Sequence, residues 1–324
     1  MTNLAARAEV VKLARELHTA PEDLAFLLES DPVAIRRVRK QMHRTLDSRY
    51  RPMFDRLARV SGLIPNSLAI AIATRFFGPA LCGMIASSLS PERAVALIGQ
   101  VPVDFLADVA PYVDPDAATP IVRAFDTEVL VPAMQEMLRR KDYITLARFL
   151  VATTDQQLLD VMPFIDSGED MLMVAFNAEL DAVADRFEIV LAELPEEQLC
   201  DVLQVSHDQD RFIEMLTFLP MVSDQTLGRI SDVAVSMGPE LLTHMILSVQ
   251  REAAWAELIP VVATMSPENR LAVFELPVWD EEMLAEIQLA GERSGRSPEL
   301  MELIAEIAEQ LGVSEELGIT EQLD

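Results

Sequence analysis

Residues 90–102 read Ser-Pro-Glu-Arg-Ala-Val-Ala-Leu-Ile-Gly-Gln-Val-Pro, and this stretch decides the fold. Ser90 suits a helix N-cap, and Pro91 suits the first helical position because its missing N–H would have no partner there. Glu92 then lies in the positive end of the helix dipole. An apolar run of helical period follows and ends before Pro102. The stretch therefore predicts one helix of about three turns.

The same phrase recurs along the chain, at residues 194–203 (Leu-Pro-Glu-Glu-Gln-Leu-Cys-Asp-Val-Leu) and 266–277 (Ser-Pro-Glu-Asn-Arg-Leu-Ala-Val-Phe-Glu-Leu-Pro). Other helix starts are predicted at Pro65, Pro79, Pro102, Asp114, Asp126, Asp142, Thr154, Ser167, Asp208, Ser223, Gly238, Asp280 and Ser297. Helices this short cannot bury an apolar face alone, so neighbours must stack. We therefore predict an all-α chain that forms an α-solenoid of short stacked helices, a superhelix of the HEAT or armadillo kind. A compact globular helical fold is the alternative.

The recurring Pro-Glu-x-x-x-Leu-x-x-x-Leu-Pro phrasing over residues 90–276 resembles the cytosolic N-terminal superhelical domain of MgtE-type magnesium transporters. It resembles the armadillo-like repeats of flagellar motor switch proteins more loosely. The resemblance implies the fold and no site residue. We expect no magnesium gating, because the nucleotide-binding domains and the membrane pore of that family do not follow in this sequence.

Charge is distributed unevenly along the chain. Residues 1–60 hold 12 Lys and Arg against 8 Asp and Glu, whereas the rest of the chain brings the net charge to −27. We expect a basic N-terminal helical region at 1–60, a helical-repeat region at 61–311 and an acidic tail at 312–324. An acidic surface repels phosphates, so nucleic acid is not an expected partner.

Motifs for catalysis are missing from the sequence. It has no Gly-rich phosphate loop, EF-hand spacing, Cys-x-x-Cys or His-Glu-x-x-His. The run His207-Asp208-Gln209-Asp210 offers metal-capable donors, but Asp208 is explained as a helix cap. We expect a protein that is not an enzyme and uses no cofactor or metal. Two cysteines and no visible signal peptide predict a cytoplasmic location.

A run of cations in the N-terminal region is the first candidate binding site. Its members are Arg36, Arg37, Arg39, Lys40 and Arg44. On a helix Arg36, Lys40 and Arg44 share one face. This face could bind an acidic protein, anionic lipid or RNA, or it could pair with the acidic remainder of the same chain.

Residues 63–89 carry one charge, Arg75, in 27 positions. A single helix of this length could cross a bilayer, but Gly78-Pro79 predicts a break into two helices that are each too short. We expect buried core helices; a membrane-embedded hairpin and a lid over an apolar pocket are the alternatives. Phe76 and Phe77 lie beside the break.

Methionine and phenylalanine are abundant after residue 134, and such side chains adapt to irregular apolar ligands. Core packing explains most of them. The residues that would line a cavity for a lipid, sterol or isoprenoid are Phe76, Phe77, Met84, Phe164, Met171 and Met173.

Two functions remain from the sequence. The first is a helical-repeat scaffold that binds a protein partner through its curved surface. The alternative is a carrier or sensor of an apolar small molecule, suggested by a mean hydropathy of +0.20 in a strongly acidic chain. Peripheral membrane contact is the less favoured expectation.

Overall fold

The computed structural model describes residues 4–17, 19–48, 51–178 and 180–294, and every regular element in these ranges is a helix. The chain is therefore all-α, as predicted. The residues fall into two compact units, 1–166 with 173–183 and 167–172 with 184–324. The predicted acidic tail at 312–324, the end of the repeat region and the helix start at Ser297 lie outside the described residues.

The first unit is a series of short helices joined by tight turns. Its helices are α1 (Leu4–Glu16), α2 (Pro32–Ser48), α3 (Arg51–Ser61), α4 (Asn66–Ile72), α5 (Gly78–Ala86), α6 (Pro91–Ile98), α7 (Val103–Val109), α8 (Pro115–Val122), α9 (Thr127–Arg139), α10 (Tyr143–Phe149) and α11 (Asp155–Val161). Short 3-10 segments lie at Pro21–Leu27, Ala110–Tyr112 and Met162–Phe164, and a π-helical turn at Ala73–Phe77 joins α4 to α5.

The second unit has helices of the same kind. Two helices, α12 (Gly168–Asn177) and α13 (Leu180–Glu193), have residues in both units. The later helices are α14 (Glu196–Asp208), α15 (Phe212–Leu216), α16 (Asp224–Ser236), α17 (Pro239–Glu252), α18 (Trp255–Ala263), α19 (Pro267–Phe274) and α20 (Glu281–Ser294), with a 3-10 segment at Leu219–Met221. All of the largest fully buried side chains among the described residues, such as Phe212 and Ile246, lie in this unit.

Local capping explains where several helices begin. The side chains of Ser90, Asp114, Thr154, Ser223 and Ser266 each accept a hydrogen bond from a backbone N–H in the first turn of the following helix. These bonds satisfy donors that would otherwise have no partner. The predicted starts at these residues are confirmed.

The predicted helix start at Asp208 is wrong. Asp208 is the last residue of α14, and the chain turns at Asp210, whose φ is +54°, before α15 begins at Phe212. Aspartate tolerates this left-handed conformation better than most residues. A tertiary contact holds the turn, since Ser248 and Arg251 of α17 both donate to the Asp210 carboxylate. A local cap signal at Asp208 contains no information about that contact.

Within each unit, helices two apart in chain order pack against each other. The pairs are α3 with α5, α4 with α6, α5 with α7, α6 with α8, α7 with α9 and α9 with α11 in the first unit, and α14 with α16, α15 with α17, α16 with α18, α17 with α19 and α18 with α20 in the second. This is the arrangement expected when successive helical hairpins stack. A superhelix that runs through the whole chain stays a prediction.

Most side-chain hydrogen bonds between helices join residues that are 27 to 41 positions apart in the described part of the chain. Examples are Asp55 with Ser88 and Asp232 with Asn269, which are 33 and 37 positions apart. Repeats built from helical hairpins have periods of about 34 to 47 residues. These separations are the ones expected for contacts between successive helical hairpins, and the solenoid itself stays a prediction.

Three arginines each make two or three of these hydrogen bonds. Arg93 donates to the carbonyls of Ser61, at the end of α3, and of Ile64 after it, and Arg148 donates to two carbonyls after α7. Arg229 donates to three carbonyls at and after the end of α13. The last carbonyls of a helix have no partner within the helix, so each guanidinium satisfies groups that the preceding hairpin leaves open.

Candidate functional site

Arg36 and Arg39, two of the predicted partner-binding residues, contact Glu9 of α1. Arg36 Nε and Nη2 each lie 3.0 Å from Glu9 Oε1, and Arg39 Nη2 lies 3.3 Å from Glu9 Oε2. Lys12 Nζ lies 3.9 Å from Glu9 Oε1. Glu9 is 1% exposed and Arg39 is 6% exposed. The carboxylate is therefore buried among three cations and neutralises part of the basic run.

Lys12 joins this cluster to a later part of the first unit. Its Nζ donates to the carbonyl oxygen of Ala178 over 2.8 Å and lies 5.9 Å from the centre of the Phe176 ring, a cation–π distance. A buried ammonium group must be paired because its desolvation is costly. Lys12 thereby fixes α1 against the end of α12.

Within the basic region, Glu9 pairs with Arg36, Arg39 and Lys12. The sequence suggested pairing with the acidic remainder, and the described residues include an exposed ion pair of that kind from α3, with Arg51 Nη1 3.4 Å from Asp114 Oδ2. Glu9 was not predicted as a partner. Its helical spacing places it between Ala6 and Leu13 on the apolar face of α1, and a carboxylate in that position is the signal that could have identified it.

The outward face of α2 presents the other members of the predicted binding set. Arg37 and Lys40 are exposed. Val38 and Met42, one helical turn apart, are 56% and 40% exposed. The side chain of Arg44 lies outside the described residues. The exposed surface of α2 therefore carries both cations and apolar side chains.

The weakly charged run at 63–89 is not buried, so the expectation of core helices is wrong. Asn66–Ala86 is long and apolar enough to cross a membrane, yet only Gly83 and Ile85 in it are buried. Phe76 is 79% exposed and Phe77 is 40% exposed. Hydropathy measures the apolar character of a segment, but it does not report which surfaces the fold places against it.

The residues predicted to line a ligand cavity have different surroundings. Met84 is half-buried and packs on the cluster formed by Phe54, Ala58 and Ile85. Phe164 is 44% exposed, and Met173 is 4% exposed. Met171 and Met173 belong to different compact units. The cavity and its apolar ligand stay a prediction.

A histidine pair in the second unit is the closest approach of titratable rings in the described residues. The Nδ1 atoms of His207 and His244 lie 3.0 Å apart, so one nitrogen donates and the other accepts. His244 Nε2 lies 3.2 Å from Asp210 Oδ1, and Arg251 Nη2 lies 2.7 Å from Asp210 Oδ2. The hydrogen bond from Arg251 lowers the pKa of Asp210. The group connects the turn before α15 to α17.

The described residues contain no group of three or more His, Cys, Asp or Glu side chains that could hold a metal ion. Cys82 is half-buried, and desolvation raises the pKa of its thiol. A raised pKa disfavours the thiolate, which is the nucleophilic form. Cys82 is thus poorly suited to nucleophilic chemistry.

Comparisons of the chain with family models, curated proteins and solved structures found no match.

Proposed function

We propose that this chain is a helical-repeat interaction module that binds an acidic protein partner through its first unit. One observation carries the proposal. Of the eighteen large apolar side chains that are exposed among the described residues, fifteen lie in the first unit and three in the second. A contiguous exposed apolar patch marks an interaction site, and the first unit holds most of the side chains that could form one.

The outward face of α2 is the part of the first unit that suits an acidic protein best. Arg37 and Lys40 attract an acidic surface, while Val38 and Met42 offer apolar contact. Rigidity supports this assignment, because Arg36 and Arg39 of the same helix hold α2 on the buried Glu9. A helix that is already fixed loses little conformational entropy when a partner binds.

Affinity capture with a charge-reversal variant tests the proposal. Arg37→Glu reverses one exposed charge and should leave the melting temperature within a few degrees of wild type. Arg123→Glu, an exposed arginine at the end of α8, is the matched control. Both proteins and wild type are immobilised, and captured proteins are quantified by mass spectrometry at low and high salt.

We expect at least one acidic protein that wild type and the Arg123 variant retain and the Arg37 variant loses, with retention that falls as salt rises. Equal recovery of the same proteins by all three would refute docking through this face. Purified partner then gives a dissociation constant for each variant.

A further inference from the structure

The apolar segment Asn66–Ala86 bends sharply and does not form one straight helix. Cys82 Sγ lies 3.6 Å from the carbonyl oxygen of Ala73, nine positions earlier. In a straight α-helix nine positions are separated by about 13.5 Å along the axis. Gly78 makes the bend with φ +72°, a conformation that residues with a Cβ rarely adopt. Pro79 follows and begins the new helical direction.

Neither arm of the bend can cross a bilayer. The arms Asn66–Phe77 and Gly78–Ala86 rise about 18 Å and about 14 Å at 1.5 Å per residue, whereas the hydrocarbon core is about 30 Å thick. The exposed phenylalanines Phe76 and Phe77 lie at the corner between the arms. The segment therefore exposes two phenylalanines at the turn between its arms.

More apolar surface is exposed on the arm before the corner. Leu68 is 50% exposed, and the eight positions from Leu68 to Phe76 are about two helical turns, which places both on one side of this arm. Leu63, in the turn before α4, is 84% exposed. We call Leu63, Leu68, Phe76 and Phe77 the apolar corner.

The charge next to the apolar corner in sequence is positive, because Arg75 precedes the two phenylalanines and is exposed. Arg56 and Arg59 are exposed on α3, which packs against α5, and Asp55 of α3 is exposed as well. Residues 56–91 contain no Asp or Glu, although the whole chain carries a net charge of −27. A second copy of the chain docked on this corner by two-fold symmetry would bring the same cations together. Docking on an anionic surface avoids this repulsion between cations.

We propose that the apolar corner docks on the surface of an anionic lipid bilayer. Phe76 and Phe77 enter the boundary between headgroups and acyl chains, and Arg75, Arg56 and Arg59 contact anionic headgroups. Monotopic binding of this kind needs buried apolar area together with attraction to anionic lipid. Acidic parts of the chain are repelled by the same surface, which favours approach through a segment that has no Asp or Glu, such as residues 56–91. This inference is independent of the protein partner proposed for α2.

Vesicle co-sedimentation of the full-length protein tests this proposal. Vesicles of phosphatidylcholine with about one third phosphatidylglycerol should bind wild type, and pure phosphatidylcholine should bind it at least about tenfold more weakly because it lacks headgroup attraction. Phe76→Ser/Phe77→Ser should reduce binding to the anionic vesicles at least about tenfold. Phe26→Ser is the matched control, since Phe26 is 73% exposed in the 3-10 segment Pro21–Leu27 and should bind as wild type does.

Folding and oligomeric state are measured in the same samples. The variants should have the same helix content as wild type by circular dichroism. If the double variant is not folded, the single variants Phe76→Ser and Arg75→Glu replace it, and each should lose binding to the anionic vesicles in the same way. The proposal is overturned if wild type does not bind anionic vesicles, or if it binds both vesicle types equally. It is also overturned if the corner variants bind as wild type does, or if their only effect in light scattering is to convert a dimer to a monomer.

Discussion

Replacing Glu9 with glutamine should unfold the N-terminal region at a much lower temperature. Glu9 is 1% exposed and pairs with Arg36 and Arg39 at 3.0 and 3.3 Å, with Lys12 at 3.9 Å. Removing one partner of a buried ion pair leaves uncompensated charge and costs about 3–5 kcal/mol. For a unit of about 150–250 residues, this corresponds to a melting temperature lower by about 6–20 °C.

Thermal and urea unfolding followed by circular dichroism measure this loss. Glu29→Gln is the matched control, because Glu29 is exposed and its replacement should change stability by less than about 0.5 kcal/mol. Adding Arg39→Gln to Glu9→Gln should recover part of the loss, since it removes one of the buried unpaired charges. If Glu9→Gln and Glu29→Gln melt within a degree of each other, the buried ion cluster does not stabilise the unit and the reasoning is refuted.

Two further predictions concern packing and pH. Gly83→Ala should destabilise the protein by about 1–3 kcal/mol, because the added Cβ would lie 2.6 Å from Tyr112 Cβ, whereas Gly99→Ala meets nothing within 4 Å and should be neutral or slightly stabilising in the same melts. Burial raises the pKa of Glu257 in the folded protein. At a pH above this folded-state pKa the buried carboxylate is charged and destabilises the folded state. This destabilisation disappears as pH falls towards the unfolded-state pKa of about 4.3. Glu257→Gln should therefore raise the melting temperature at pH 7 and have little effect near pH 4; a lower melting temperature at pH 7 would contradict this sign.

Helix positions could be read from the sequence because capping is local. A Ser, Thr or Asp before a helix start bonds to N–H groups two or three residues later, so the signal and the structure share one short segment. Ser90, Thr154 and Ser266 illustrate this. Asp208 shows the limit, because the conformation of Asp210 depends on Arg251, which is 41 positions away.

The connections between hairpins could not be predicted in the same way. Arg93, Arg148 and Arg229 reach carbonyls 29 to 38 positions earlier, and nothing in their immediate sequence marks them as different from exposed arginines. The candidate sites have the same limitation. Arg36 and Arg37 are adjacent in one basic run, yet Arg36 contacts Glu9 and Arg37 is exposed, because α1 packs on only one side of α2.

The proposed interaction module depends on the repeat architecture. Cross-linking of engineered cysteine pairs tests that architecture most directly. Asp55 and Ser88 in the first unit, and Asp232 and Asn269 in the second, are hydrogen-bonded across one repeat. Each pair is replaced by cysteine in a background that lacks the two native cysteines, and single-cysteine variants are the controls. A short bis-maleimide should join both pairs within the monomer, as seen by peptide mass spectrometry. Failure of either pair to cross-link would contradict the stacking of each hairpin on the one before it.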